Sequence, residues 1–366
     1  MKSKILAFSF LAVFLLAMCL TGIKSASATS TTENTWTAKA PMPQAVGSEE
    51  VAVINGKIYV VGKDTNYEYN PATDTWATKK PMPTPRNYFG LAAVENKIYV
   101  IGGRDLTNVS SETEAPTCSI NEVYNPETDN WETKAQMPTA RTQIKAEAIN
   151  GKIYVVAGRT GQEFTTVNLN EVYDPANDSW ATMAPIPKPV TSFGCTVLDN
   201  KMYVIGGQNE YSTPMNAGWV QIYDPMTNGW TQGAHHPDPA WIGDVAAATV
   251  GLHAPKRIYV MGGVKNIAMP TNSNYVYDPE LNAWNISASM PFPLTDFAIA
   301  NVNDILYVIG GSNGWITLYS ENQQYIPLGY GTIQPSTTSI AIISTVSIVV
   351  VAICIGVLYY LKKRRH

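Results

Sequence analysis

Two pairs of arginines are the side chains of this sequence best suited to hold a charged ligand. Arg86 is followed 18 residues later by Arg104, and Arg141 is followed by Arg159 after the same interval. A guanidinium group presents a planar fork of N–H donors that matches a carboxylate. The sequence therefore predicts that at least two of these four arginines contact an acidic ligand.

Aromatic side chains offer a second kind of binding surface. Trp219, Trp241 and Trp315 stand outside the regular tryptophan pattern described below, and Tyr211 lies near the first of them. Exposed rings offer flat apolar area to sugars and to protein side chains. We predict these four residues as ligand contacts, with the alternative that each tryptophan fills a gap between repeats.

The sequence contains candidate acid–base residues but no motif that identifies an enzyme active site. Four carboxylates are candidates for a general acid or base, namely Glu49, Glu50, Glu147 and Asp244. No motif fixes any of them in that role, and carboxylates near arginines are more often simple ion pairs. His235, His236 and His253 are also available, but the side chains of adjacent histidines usually diverge. The sequence therefore predicts no catalytic residue, no metal and no cofactor.

The residues that must position these groups follow a strict repeat. Five tyrosines are each followed after two residues by a proline and after seven by a tryptophan: Tyr69, Tyr124, Tyr173, Tyr223 and Tyr277. A sixth Tyr-x-Pro, at Tyr325, has no tryptophan after it, and Trp36 has no tyrosine before it. Five units and two complementary halves predict a ring of six, in which the strand around Trp36 completes the unit that ends at Tyr325.

One repeat reads as four antiparallel strands. Residues 88–94 form an apolar inner strand, a tight turn follows at Glu95-Asn96, and residues 97–101 form a second strand. A loop leads to a third strand at 121–125, and a turn leads to the strand of Trp131. The chain resembles the kelch-repeat β-propellers over residues 33–328, through KIYVIGG (97–103), NEVYNPETDNW (121–131) and QMPTAR (136–141). The predicted fold is an all-β, six-bladed propeller.

Loop lengths distinguish the two faces of the predicted ring. The interval from the second-strand tyrosine to the third-strand tyrosine varies widely, whereas the inner hairpin is constant except for an insertion in blade 5 near residues 251–256. Binding residues favour loops carried by a rigid scaffold. We therefore place the working surface on the face of the second-to-third-strand loops, with tolerated drift of solvent loops as the alternative.

The resemblance bears on the candidate chemistry. Arg86 and Arg141 occupy the position of the kelch-repeat arginine, which is often structural. Galactose oxidase has a similar fold, but its copper site requires a ligand set that this chain lacks. The N-acetylneuraminate epimerases, secreted six-bladed kelch proteins, are the closer comparison and imply a sugar-acid epimerase or mutarotase as the alternative function.

The two ends of the chain have the patterns of a targeting segment and a membrane anchor. Residues 1–28 read as a signal peptide, with Ala26-Ser27-Ala28 as its cleavage site. A lipoprotein signal at Cys19 is the weaker reading. The propeller is expected at 29–328, a short stalk at 329–338, an uncharged apolar transmembrane helix at 339–361 and a basic cytoplasmic tail at 362–366. A buried core helix is the alternative for the apolar run.

Composition fits this assignment. The net charge is −4, so nothing indicates a nucleic-acid partner. Cys118 and Cys195 are the cysteines of the predicted ectodomain, and Cys195 is expected to be a small core residue rather than half of a disulfide. Sequons at Asn108, Asn177 and Asn285 would suit glycosylation outside the cell. The sequence favours a non-enzymatic cell-surface binding, adhesion or receptor module for an extracellular protein or glycan.

Overall fold

Short runs of β-branched and aromatic residues, separated by Asn, Asp and Gly turns, produce strands of mostly four or five residues along the chain. In this computed structural model the described residues are 32–47, 50–161, 165–208, 218–238, 241–265, 269–314 and 317–331. Within them the strands form six antiparallel sheets, or blades, each built from an inner, a second, a third and an outer strand.

The strand bounds repeat closely from blade 1 to blade 6. The inner strands are Glu50–Ile54, Gly90–Val94, Lys145–Ile149, Gly194–Leu198, Trp241–Val250 and Ala298–Val302. The second strands are Lys57–Val61, Lys97–Ile101, Lys152–Val156, Lys201–Ile205, Arg257–Lys265 and Ile305–Ile309. The third strands are Asn66–Asn70, Asn121–Asn125, Asn170–Asp174, Val220–Asp224, Asn274–Asp278 and Asn322–Ile326. The outer strands are Thr75–Thr78, Asn130–Thr133, Ser179–Thr182, Gly229–Gly233, Ala283–Ile286 and, for blade 6, Thr35–Lys39. Shorter elements are the strands Arg86–Asn87, Arg104–Asp105, Arg159–Thr160, Thr165–Thr166 and Met269–Pro270, and the 3-10 turn Glu112–Glu114.

The ring closes as the complementary halves predict. The strand Thr35–Lys39 pairs antiparallel with Asn322–Ile326, and Trp36 lies opposite Tyr325. The inner strand of blade 6 also contacts the inner strand of blade 1. Closure leaves no open end at which another chain could extend the ring.

Apolar clusters between neighbouring blades form the core. Each cluster combines side chains of two adjacent sheets; Tyr154 and Val172 of blade 3, for example, pack with Phe193 and Val204 of blade 4. Burial of such side chains is the main stabilising contribution, at about 25 cal/mol per Å² of apolar surface removed from water. Each blade is therefore held by its neighbours rather than by a core of its own.

The tyrosine and tryptophan of each repeat fasten the outer strand to the connection that enters the same blade. In blade 2 the Trp131 Nε1 donates to the carbonyl of Lys80 at 2.8 Å, and the Asp129 carboxylate accepts from the Lys80 amide at 2.9 Å. The hydroxyl of Tyr124 donates to the same carboxylate at 2.6 Å. Asp129 has a positive φ of 51°, a conformation that Asp and Asn tolerate better than most residues.

We call the end of the ring that carries the inner–second and third–outer turns the hairpin face. The opposite end, with the second-to-third-strand loops and the blade-to-blade connections, is the variable-loop face. The predicted insertion is present on the hairpin face, where residues 251–256 separate Val250 from Arg257. One boundary differs from the prediction: the inner strand of blade 2 begins at Gly90, because Tyr88 has a φ of 54° that lies outside the β region.

The predictions about the chain ends concern residues that lie outside the described set. The predicted signal peptide (1–28), most of the stalk (329–338), the apolar run (339–361) and the tail (362–366) are among them. Within the described part of the chain, no helix is long and apolar enough to cross a membrane. Cys118 and Cys195 are both free thiols, and Cys195 is buried in the inner strand of blade 4, as predicted.

Candidate functional site

Arg86 and Arg141 lie in the interior of their blades rather than on a binding surface. The Arg86 Nη2 donates to the Glu122 carboxylate at 2.8 Å, and Arg141 makes the same contact with Glu171 at 2.8 Å. Both arginine side chains are fully buried. Burial lowers the pKa of Arg141, while the Glu171 carboxylate opposes this shift.

Backbone acceptors complete the environment of each buried guanidinium. Arg86 Nη1 donates to the carbonyls of Gly102 and Ile120, both at 3.0 Å. Arg141 Nη1 donates to the carbonyl of Ala157 at 2.8 Å. These arginines tie the second and third strands of their blades together in separate buried ion pairs, so neither of the two is placed to contact an acidic ligand. The two residues instead match their structural reading.

Arg104 and Arg159 are placed differently, on the variable-loop face. Both follow the second strand of their blade and are half-buried. Arg104 Nη1 donates to the carbonyl of Glu112 at 3.1 Å, within the long loop of blade 2. The Arg159 backbone pairs with Thr142. Two of the four predicted arginines thus lie near the surface of this face.

Glu112 connects neighbouring loops on the variable-loop face close to Arg104. Its carboxylate accepts from Asn87 Nδ2 at 3.0 Å and from Lys63 Nζ at 3.5 Å. Lys63 belongs to the short loop of blade 1, so the 3-10 turn of blade 2 bridges two neighbouring loops. The long loop of blade 2 is therefore held in a defined position beside Arg104.

The predicted aromatic contacts are only partly described. Trp219 is half-buried, packs against the apolar cluster between blades 3 and 4, and has Lys188 Nζ 5.6 Å from its ring centre. This position agrees with the alternative reading, in which the ring fills a gap between blades. Tyr211 and Trp315 lie outside the described residues. Trp241 begins the inner strand of blade 5, where its backbone lies opposite Lys265.

A polar cluster lies in the central channel of the ring, among the inner strands. The channel holds a cavity of about 270 Å³ whose walls are mostly Ala, Val and Leu side chains. Its polar lining consists of Glu50, Lys145, Glu147 and Cys195. Lys145 Nζ forms an ion pair with the Glu50 carboxylate, across from blade 3 to blade 1. Both are the first residues of their inner strands, at the end nearest the variable-loop face.

Glycine in the intervening blade lets these two charges meet. At the first inner-strand position blade 1 has Glu50, blade 2 has Gly90 and blade 3 has Lys145. A Cβ on Gly90 would approach the Cβ of Ala146 to 2.9 Å. A side chain on blade 2 would therefore crowd blade 3 at the level where Lys145 crosses toward Glu50.

The channel walls alter the protonation of Glu147. Burial raises the pKa of Glu147 to about 8, although the nearby Lys145 opposes the shift. Burial also works against the Lys145 ammonium, but the Glu50 carboxylate outweighs it, so the pKa of Lys145 is raised. Burial raises the pKa of the Cys195 thiol well above its usual value. At neutral pH the cluster thus combines an ion pair with a protonated carboxyl and a thiol.

Glu147 was among the acid–base candidates from the sequence, whereas Lys145 and Cys195 were not. Lys145 was detectable in principle, because blades 1 and 3 alone carry a charged residue at the first inner-strand position among the six aligned strands. Cys195 gives no such signal, since a buried cysteine resembles any small core residue. Glu49 and the side chain of Asp244 lie outside the described part of the structure.

The histidines do not gather into a metal site. His236 is buried beside the rings of Tyr275 and Trp284, and burial lowers its pKa to about 4. His253 lies in the hairpin-face insertion, against Tyr330. Among the residues that the structure describes, no three His, Cys, Asp or Glu side chains are grouped so that they could hold a metal ion.

Comparison with known proteins places this architecture in a family. Residues 91–311 match the KLHDC2/KLHL20/DRC7 Kelch-repeats domain. The chain is 43% identical over 195 residues to Kelch-like protein 7 of Rattus norvegicus, covering 53% of this chain and 32% of the relative. It is 30% identical over 277 residues to Kelch-like protein terF of Aspergillus terreus, covering 71% of this chain and 48% of the relative.

Two further similarities extend this result. Spermatocyte protein spe-26 of Caenorhabditis elegans is 28% identical over 201 residues, covering 54% of this chain and 34% of the relative. The chain thus spans 32–48% of the length of these three relatives. The solved structure of YjhT superposes with a TM-score of 0.67 at 16% identity, covering 77% of this chain and 95% of that one, a likeness of fold alone. By its repeats, its closed ring and its matched domain, the chain belongs to the kelch-repeat family of six-bladed β-propellers.

Proposed function

We propose that this protein is a non-enzymatic binding module that takes a protein or glycan ligand on its variable-loop face. The observation that carries this proposal is the difference between the two faces. The second-to-third-strand connection spans residues 62–65 in blade 1 and 102–120 in blade 2, whereas the inner hairpin is a two-residue turn in every blade except blade 5. A rigid ring that varies at one end is suited to presenting a specific surface there.

The described residues of this face support the proposal. Arg104 lies beside the ordered loop of Glu112, and Arg159 occupies the corresponding place in blade 3. Each offers a guanidinium group for an acidic group of a ligand. Trp241 and Trp315 are proposed as further contacts on the sequence pattern alone.

The proposed setting is the outer surface of a cell, with the propeller anchored by one C-terminal helix. Residues 1–28 have the charge and apolar pattern of a signal peptide, and residues 339–361 have the length and composition of a membrane span followed by a basic tail. The proposed propeller and stalk lie between them, at 29–328 and 329–338. The three sequon asparagines, Asn108, Asn177 and Asn285, are exposed, which is compatible with an external location.

Binding by purified protein tests the proposed surface. The full chain in mild detergent is applied to a glycan array and to a fraction of extracellular proteins, and the apparent affinity for each captured ligand is measured. The double variant Arg104→Ala/Arg159→Ala is expected to weaken binding at least about tenfold, as loss of a charge-assisted contact does. Lys152→Ala is the matched control, because Lys152 is an exposed cation on the hairpin face. Equal affinity of the double variant and the control would contradict the proposal.

A second candidate function is a sugar-acid epimerase or mutarotase. The observation in its favour is Glu147, a carboxyl group in the channel whose pKa is raised by burial to about 8 and which lies near the Lys145 ammonium. Such a pair can donate a proton and orient an anionic substrate. The ion pairs of two arginines oppose this candidate function. Arg86 pairs with Glu122 and Arg141 with Glu171 inside their blades, so neither arginine can hold the substrate carboxylate.

Exchange between the anomers of N-acetylneuraminate, followed by NMR, tests this second candidate. The wild-type chain is expected to accelerate the exchange, and Glu147→Gln to abolish the acceleration. Glu127→Gln, a change at an exposed turn, is the control and should leave it intact. Exchange at the uncatalysed rate with the wild-type chain would eliminate the candidate.

A further inference from the structure

The chain leaves the propeller on the hairpin face, and a specific set of contacts holds it there. After the third strand of blade 6, the amide of Leu328 donates to the Tyr259 hydroxyl at 3.1 Å, and the amide of Gly331 donates to the His253 carbonyl at 2.8 Å. The Tyr330 ring lies 6.0 Å from the His253 ring, centre to centre. Residues 328–331 are therefore fixed against blade 5 rather than hanging free.

The blade 5 insertion that receives this segment is itself rigidly supported. The buried Asp304 carboxylate, from the inner hairpin of blade 6, accepts hydrogen bonds from the backbone amides of Gly251, Leu252, His253 and Ala254. A carboxylate held by several amides is a strong anchor, because each bond to a charged group is stronger than a neutral one. Asp304 thus joins blades 5 and 6 beneath the exit of the chain.

Large apolar side chains are exposed in the same sector of the hairpin face. Met226 is 84% exposed, Leu281 72%, Leu252 62% and Leu328 39%. All four lie at turns or at the chain exit in blades 4, 5 and 6. The corresponding third–outer turns of blades 1 to 3 carry small or polar residues instead, namely Ala72, Thr73, Glu127, Thr128, Ala176 and Asn177.

The length of chain beyond this sector limits how far it can stand from a membrane. Seven residues, 332–338, separate Gly331 from the start of the apolar run at Ser339, a path of eight residue-to-residue steps. Even fully extended they span only about 27 Å, at about 3.4 Å per residue. A propeller that is tethered this closely on its hairpin face must keep that face near the lipid.

We propose that the hairpin face of blades 4 to 6 rests on the lipid surface, with Met226, Leu252, Leu281 and Leu328 in contact with the interface, so that the variable-loop face points away from the membrane. This inference rests on the membrane anchoring proposed above. It identifies lipid rather than a protein as the occupant, because the four side chains stand at separate turn tips beside the tether.

The charges of this sector indicate the kind of lipid contact. Lys256 pairs with Asp199 at 2.6 Å, and Arg257 pairs with Asp278 at 3.0 Å. Lys201 likewise pairs with Asp224 at 3.3 Å. Cations that are already paired within the protein contribute little attraction to anionic headgroups, so the contact is expected to be apolar and insensitive to lipid charge.

Fluorescence quenching by spin-labelled lipid tests the orientation. The full chain, with its native cysteines replaced by alanine, is reconstituted into phosphatidylcholine vesicles that contain shallow doxyl-lipid. A small environment-sensitive dye is attached at one introduced cysteine: Met226→Cys, Leu281→Cys, Ala176→Cys or Thr107→Cys. Ala176 is the matched turn in blade 3, and Thr107 is exposed on the variable-loop face.

The expected result is strong quenching at 226 and 281, weaker quenching at 176 and none at 107, with the same order when phosphatidylserine is added. Carbonate extraction of the same vesicles reports on the anchor alone. A chain that resists extraction but is quenched equally at all four positions, or most at 107, overturns the orientation and leaves the anchor intact. A chain that carbonate releases overturns the anchor, and the orientation with it.

Discussion

The side-chain oxygen of Asn34 accepts a hydrogen bond from the Tyr325 hydroxyl at 2.8 Å, although 291 residues separate them in the sequence. In the five other blades the acceptor lies five residues after the tyrosine, as Asp74 does for Tyr69. Asn34 therefore supplies, from the beginning of the propeller, the residue that the last repeat lacks.

The contacts of Asn34 predict a measurable contribution to ring closure. Besides Tyr325, its side chain accepts from the Ala288 amide at 2.8 Å and from the Ser287 hydroxyl at 2.9 Å. Asn34→Ala leaves these donors without their acceptor and places alanine at a φ of 58°. The free energy of unfolding is expected to fall by about 2–4 kcal/mol, measured by chemical denaturation.

Asn108→Ala separates the strain from the hydrogen bonds. Asn108 has the same φ of 58°, but it is exposed in the blade 2 loop. It is expected to cost no more than about 1–2 kcal/mol, the strain alone. If both variants were equally stable, Asn34 would contribute nothing specific to closure.

The buried position of Arg86 predicts an effect on stability rather than on recognition. Arg86→Met leaves the Glu122 carboxylate buried without its cation, which is expected to cost about 3–5 kcal/mol of folding free energy. Adding Glu122→Gln should recover part of this loss, since a neutral amide is cheaper to bury than an unpaired charge. Thermal and chemical denaturation of the single and double variants measure the coupling.

Arg104→Ala is the matched change on the surface. Because Arg104 is only half-buried and its Nη1 donates to a loop carbonyl rather than to a buried carboxylate, its removal is expected to cost less than about 1 kcal/mol. A large loss with Arg104→Ala and none with Arg86→Met would reverse the roles assigned to the two arginines.

The burial of Glu147 predicts a particular pH dependence. Its folded-state pKa of about 8 lies above its unfolded value, so the folded protein binds the proton more tightly. Stability contributed by the protonated group is present at low pH and declines as pH rises from the unfolded pKa to about 8. Glu147→Gln, which stays neutral, is expected to match the wild type near pH 4 and to exceed it in melting temperature at pH 9.

Exposed Glu127→Gln provides the reference for this comparison. It changes charge by the same amount at a turn on the surface, so its difference from the wild type should be small at both pH values. A melting-temperature difference for Glu147→Gln that is constant between pH 4 and pH 9 would contradict the assigned protonation.

Local pattern was sufficient to predict most of the fold. The Tyr-x-Pro and tryptophan spacing reflects a hydrogen-bond network that recurs in the blades with Asp or Asn as the acceptor, so it marks strand positions and the closure by Trp36 directly. The blade 5 insertion was predictable because the inner hairpin has a constant length in the sequence except in that blade. Tyr88 was misassigned because an apolar run does not reveal a positive φ.

The site was less predictable, because it depends on which blades face one another. Arg86 and Arg104 are the same residue type and lie 18 residues apart, and Arg86 meets a buried carboxylate 36 residues further on. The Lys145–Glu50 pair joins blades 1 and 3 across the channel, 95 residues apart. Such contacts require the ring geometry, which a linear pattern does not carry.

Photo-crosslinking on the cells that make the protein tests the central claim, that the variable-loop face binds the ligand. A benzophenone amino acid is placed at Thr107 on that face or at Thr73 on the hairpin face, both exposed positions. After irradiation, covalent adducts with an extracellular protein or glycan are predicted for position 107 and not for position 73. Adducts formed equally at both positions, or only at 73, would contradict the account.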